Sequence, residues 1–142
     1  MKLSAKGEYA ILAILELALN EGHRPLQVKG IARAHRIPGR FLEQVMGALK
    51  RAGLVESIRG AQGGYVLTKT PSEIRLGDVL QAVEGSLNPV ELDRSDRQQG
   101  LIRELWGEVE VSLEGILNAI NFEEPCERKR KKDRQRALMY HI

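Results

Sequence analysis

The side chains of this sequence that suit chemistry are those that suit a polyanion. Arg40, Glu43, Gln44, Gly47, Lys50 and Arg51 recur on one side of a helical repeat whose other side is Leu42, Val45, Met46 and Leu49, at i, i+3, i+4 and i+7. Shortly afterwards Arg59 opens a Gly-rich stretch, Gly60-Ala61-Gln62-Gly63-Gly64. Cationic and amide groups gathered on one face, with a further guanidinium on a turn, offer charge-assisted hydrogen bonds to phosphates and polar contacts to base edges. Catalysis has no comparable footing: no nucleophile-base set, phosphate loop or metal-ligand spacing occurs, so an enzyme is not expected. A single cysteine, Cys126, excludes an intramolecular disulfide and any site built from several thiolates, and it points to a reducing compartment.

The elements that must position these groups follow from periodicity. Ser4 is a candidate N-cap for a helix in which Tyr9, Ile11, Leu12, Ile14, Leu15, Ala18 and Leu19 cover most of the surface, so this helix must be buried on more than one side. Gln27 to Arg36 reads as a short amphipathic helix, stopped by Pro38-Gly39; a third helix starts near Arg40 and ends at Gly53. Leu54 to Ile58 and Tyr65 to Thr68, on either side of the Gly-rich turn, read as a hairpin. Helix, helix, turn, helix and hairpin is the order of a winged helix-turn-helix. Leu76 to Glu84 predicts a fourth helix, Ser86 to Gln99 a loop, and a helix of about twenty residues follows. Its near-heptad seam of Ile102, Leu105, Val109, Leu113, Ile116, Leu117 and Ile120 is more apolar surface than a short chain covers by itself, which suggests pairing with a second copy. The expected class is therefore mainly α with a small β-hairpin wing. Its parts are a DNA-binding domain over residues 1–72, a short helix and loop over 73–99, a dimerisation helix over 100–121, and a flexible basic tail over 122–142.

The chain has 142 residues and a formal charge of only +3, which conceals three blocks. Residues 1–69 carry 11 basic and 5 acidic side chains, residues 70–126 carry 4 and 12, and residues 127–142 carry 7 and 2. A basic first block suits nucleic acid, whereas the acidic second block should face away from it. The longest apolar run, Tyr9 to Ala18, is interrupted by Glu16 and is too short to span a membrane, so a cytoplasmic protein with no membrane partner is expected.

Several strings then occur together in order: Met1-Lys2-Leu3-Ser4-Ala5-Lys6-Gly7-Glu8-Tyr9-Ala10, Phe41-Leu42-Glu43-Gln44, Gly53-Leu54-Val55 and Ser57-Ile58-Arg59-Gly60-Ala61-Gln62-Gly63-Gly64-Tyr65. Together they resemble the Rrf2 type of bacterial winged-helix repressor over nearly the whole chain. The resemblance implies a homodimer with crossed C-terminal helices, bound to a palindromic operator in double-stranded DNA. The third helix would lie in the major groove with Arg40, Glu43 and Gln44 reading bases, pairings their chemistry permits. Arg59 would reach the minor groove, and Lys50, Arg51, Ser57 and Gln62 would belong to the same interface, mostly on phosphates. Each residue also has a plain reading as solvated surface, and Glu43 has one as an intrahelical partner of Arg40.

Many members of that family hold an iron-sulfur cluster through three cysteines in the loop before the long helix. Here the corresponding stretch, Glu91 to Gly100, has none, so no such cofactor is expected. Gly85-Ser86-Leu87-Asn88-Pro89-Val90-Glu91 and the ending Met139-Tyr140-His141-Ile142 resemble the cluster-free cysteine-metabolism repressors of the family, the CymR type, which act with cysteine synthase. Tyr140 and the terminal carboxylate of Ile142 would then be the partner-binding group. Two rivals stay open on sequence alone: a redox or iron-sulfur sensor of the same fold, drawing on Cys126 with Glu8, His35 or a partner subunit, and an interaction module that has kept the winged fold without specific DNA binding.

Overall fold

The structure is a computed structural model and describes residues 3–85 and 99–140. Of the loop expected over 86–99, Gln99 instead opens a helix and the rest, with the Gly85–Glu91 string beyond its first residue, lies outside the described residues, as does Ile142. Six helices and one hairpin are described: α1 (Ala5–Leu19), α2 (Val28–His35), α3 (Gly39–Arg51), β1 (Val55–Ile58), β2 (Gly64–Leu67), α4 (Leu76–Glu84), α5 (Gln99–Ala119) and α6 (Glu123–Tyr140). A 3-10 turn, Pro71–Glu73, separates β2 from α4.

α1 begins where Ser4 accepts the Gly7 N–H at 3.1 Å, satisfying one of the first-turn donors that a helix leaves open. It is the central element. Ala10, Ala13, Ile14 and Leu17 meet Ile31 of α2, Leu42, Val45, Met46 and Leu49 of α3, Val55 of β1, Val79 of α4, and Leu54 and Ile74 from the connecting segments, all in one aliphatic cluster. Burial of α1 on several sides follows from its unusually wide apolar surface. Tyr9 and Phe41 sit at the margin of the cluster and pack edge to face with ring centres 5.4 Å apart.

β1 and β2 pair antiparallel, with Val55 opposite Leu67 and Ile58 opposite Gly64. Leu26 adds a third rung: its N–H and carbonyl both bond Tyr65, at 3.1 and 2.7 Å. This rung fastens the wing to the segment entering α2.

α4 and α5 approach closely because Gly77 has no side chain; a Cβ there would run into the Asn118 side chain and reach Leu117. The Leu76 N–H donates to the Ile120 carbonyl at 2.8 Å, and the Phe122 N–H to the Pro71 carbonyl at 3.1 Å. The C-terminal end of α5 is therefore held, while Leu101, Ile102, Leu105 and Val109 nearer its start stand exposed.

The flexible tail expected over 122–142 is corrected by the structure: residues 123–140 form one helix. Phe122 and Cys126 are buried, 3% and 1% exposed, and anchor its first turn against α1 and the Pro71 turn. Glu124–Arg128 and Lys129–Asp133 ion pairs, both i,i+4 and 2.7 Å long, brace the next two turns. From Arg130 onward every described residue is exposed.

Candidate nucleic-acid interface

The two helices of the helix-turn-helix are joined by three residues. Arg36 takes a left-handed conformation, φ 53 and ψ 43, which lets the Ile37 N–H return to the Ala32 carbonyl at 2.9 Å. Ile37 is buried, and Pro38 is the N-cap of α3. A non-glycine residue in this region is uncommon and costs conformational energy; the burial of Ile37 offsets it. α2 is also tied to α1 by the His35 Nε2 to Glu16 Oε1 contact at 2.9 Å. His35 is thereby accounted for structurally.

α3 divides as its repeat requires. Leu42, Val45, Met46 and Leu49 are buried, and Arg40, Glu43, Gln44, Lys50 and Arg51 are exposed. Among the described residues Glu43 makes no ion pair with Arg40, leaving both groups open to a partner. Ser57, Arg59 and Gln62 are exposed on the wing, where the Gly63 N–H closes the turn on the Gly60 carbonyl at 3.0 Å.

One relation was not readable from spacing. Lys50 Nζ donates to Ser57 Oγ at 2.8 Å, so these two groups bridge the end of α3 and the first wing strand. Helix face and wing thus form one continuous polar surface. A second addition is Lys6 of α1, which lines an open cleft with Gln44 and Arg51. It occupies the first turn of α1, and only the packing of α1 beside α3 brings it to this surface.

Of the expected pairing seam, Ile102, Leu105, Val109, Ile116 and Ile120 are exposed, while Leu113 and Leu117 are half-buried. Leu117 leans on α4 at Gly77 and so serves the single chain as well. Trp106 and Val111 add exposed apolar surface outside the seam read from sequence.

The model of the Rrf2 family, described as an iron-dependent transcriptional regulator, matches residues 3–128. The chain belongs to the Rrf2 family. It is 38% identical over 124 residues to the HTH-type transcriptional regulator CymR of Bacillus subtilis, covering 87% of this chain and 88% of that protein. It is 37% identical over 128 residues to the HTH-type transcriptional regulator IscR of Klebsiella pneumoniae, covering 87% and 78%. The solved structure of CymR, the global cysteine regulator of B. subtilis, superposes with a TM-score of 0.76 at 36% identity over 90% of this chain and 98% of that one. This Rrf2 protein is accordingly a DNA-binding transcriptional regulator with a winged helix-turn-helix fold, and not an enzyme.

The iron in the family description calls for donors that this chain does not offer. Iron-sulfur clusters of this kind need several thiolates, and the whole sequence has one cysteine. Cys126 lies in the interior, where burial pushes its thiol pKa up, against a smaller opposing pull from Arg130. Among the described residues no three His, Cys, Asp or Glu side chains gather around one point. The donors do not fit a family-type cluster. Among the described residues no helix is long and apolar enough to cross a membrane.

Proposed function

We propose that this Rrf2 regulator binds a palindromic operator as a homodimer, in a cluster-free manner, and that its target genes belong to sulfur or cysteine metabolism. One observation carries the DNA-contact assignment: α3 buries its entire apolar face and presents Arg40, Glu43 and Gln44 beside a wing bearing Arg59. A guanidinium suits guanine, Gln suits adenine, and a carboxylate suits the cytosine amino group. Lys50, Arg51, Ser57 and Gln62 flank these groups and suit phosphates. Pairing of two copies is supported by the exposed apolar face of α5, since a free surface of this kind marks an interaction site.

The test is binding to duplex fragments that the purified protein selects from its host genome. Gln44→Ala with Arg59→Ala is expected to lower specific affinity by about 30-fold or more, from about 1–3 kcal/mol per base contact. Binding to mixed-sequence duplex should change far less. Unchanged affinity and unchanged salt slope would remove the assignment.

The pathway rests on the likeness to CymR, named a global cysteine regulator, and on the absence of cluster donors. In this reading cysteine synthase is the protein partner and grips Tyr140 and Ile142; Tyr140 is exposed. Two arms of one experiment check it. Protein purified without oxygen should show no iron-thiolate absorption, and removal of residues 140–142 should abolish a complex with cysteine synthase while operator binding persists. A visible iron-thiolate band, or a complex that survives the deletion, sinks the corresponding half.

A further inference from the structure

α6 is more helix than the fold needs. Its first turn is anchored by Phe122 and Cys126, yet every described residue from Arg130 onward is exposed. Seven Lys and Arg side chains occupy residues 128–136. Arg128 and Lys129 are committed to intrahelical pairs, whereas Arg130, Lys131, Lys132, Arg134 and Arg136 make no ion pair among the described residues. We infer that this exposed half of α6 is a second DNA-contacting element, which grips phosphates of the duplex outside the winged domain's own footprint.

The occupant follows from charge density and from where the cations sit on the helix. At 1.5 Å per residue the five free cations span about 9 Å of helix axis. Duplex DNA carries one negative charge per about 1.7 Å, or about five phosphates over that distance. The acidic face of α5 in a second copy is a poorer match: Glu104, Glu108, Glu110 and Glu114 spread four carboxylates over about 15 Å. A helix lying on a membrane, or seated in a protein groove, needs apolar anchors along one side. From Lys131 to Arg136 there is none, and the cations ring the helix; the exposed Leu138, Met139 and Tyr140 are confined to its last turn and do not run alongside the cations. The location fits as well. The Phe122 N–H bonds the Pro71 carbonyl, and Glu123, Cys126, Glu127 and Arg130 share a cleft with Thr70, Pro71 and Ser72, the segment that leaves the wing. The root of α6 therefore sits at the foot of the element assigned to the minor groove. A polar helix without tertiary support is held only by its ion pairs, and phosphate contact would complete what they begin.

The inference rests on the DNA-binding role of the winged domain, and the experiment separates the two. The protein is compared with a Gln variant (Arg130→Gln, Lys131→Gln, Lys132→Gln, Arg134→Gln, Arg136→Gln) and with a Lys variant (Arg130→Lys, Arg134→Lys, Arg136→Lys). Each is titrated over a salt series with a genome-selected duplex of about 25 base pairs, enough for two half-sites, and with the same duplex extended to about 45. Wild type should bind the longer duplex at least tenfold more tightly at low salt. The Gln variant should lose that preference, and its salt slope should fall by about 0.9 for each phosphate contact removed. The Lys variant should keep both, since phosphates accept either cation. A Gln variant indistinguishable from wild type on both duplexes overturns the inference. So does a Gln variant whose only defect is dissociation into monomers, which would assign α6 to the second copy. If Gln44→Ala with Arg59→Ala abolishes neither specificity nor affinity while the length preference persists, the base-reading assignment fails and the role of α6 stands.

Discussion

Placing Glu at both Leu105 and Val109 is expected to convert this protein into a folded monomer that no longer holds its operator. These residues are 53% and 44% exposed in the single chain and lie one helical turn apart on α5. Neither belongs to the aliphatic cluster around α1. If α5 pairs with a second α5, each position is counted twice, so four carboxylates would enter one apolar interface. Burying an unpaired charge costs several kcal/mol, and the pairing constant should weaken by well over 100-fold, about 2.7 kcal/mol. The winged domain should keep its melting behaviour because it loses no core contact. Operator affinity should drop with the dimer, since half-sites a helical turn apart are held together only by the second protomer. Analytical ultracentrifugation at micromolar concentration decides the first point and titration of a selected duplex the second. A variant that still sediments as a dimer would show that the apolar face of α5 is not the pairing surface.

The same helix shows how far sequence reasoning reached. The near-heptad seam located its apolar side because a 3.5-residue repeat is a property of the sequence. It did not separate Leu113 and Leu117, half-buried within one chain, from Ile102 and Ile116, because that division depends on α4 passing alongside. Gly77 permits the approach, and its neighbours across the gap are forty residues away. α3, α4 and the hairpin were legible for a similar reason: their patterns are local, and Gly53 and the Gly-rich turn punctuate them.

α6 was misread because composition outweighed spacing. A charge run suggests a solvated tail, yet Glu124–Arg128 and Lys129–Asp133 sit at the i,i+4 separation of helix-stabilising pairs. Acids Glu123 and Glu124 at the start, with cations following, also suit the helix dipole. What the sequence could not supply was the anchor, since burial of Cys126 and Phe122 depends on α1 and the Pro71 turn. Within the interface, exposure of Arg40, Glu43 and Gln44 followed from the burial of their neighbours. The Lys50–Ser57 bond and the left-handed Arg36 did not, because both are set by how α3 meets the wing and α2.

Gly64→Ala is expected to destabilise the DNA-binding domain strongly. Gly64 has φ +154, and a Cβ built on it runs directly into the backbone carbonyl of Leu26, with the Gln27 nitrogen 3.0 Å away. The obstacle is main chain, which cannot swing aside as a side chain would. Relief requires the Leu26–Tyr65 rung to open, surrendering both hydrogen bonds that fasten the wing to the approach of α2. Backbone strain with the lost rung amounts to about 3 kcal/mol, or a fall in Tm of roughly 10 °C for a chain of this size. The damage should be uneven. Amide exchange should accelerate first at Tyr65 and Leu26, whereas the helical cluster retains protection until global unfolding. Operator affinity should fall in parallel, because Arg59 is aimed by the strand pair that the rung secures. Exchange that stays slow at Tyr65 in the variant would mean that the wing is held by β1 alone, and that Leu26 contributes nothing to the interface.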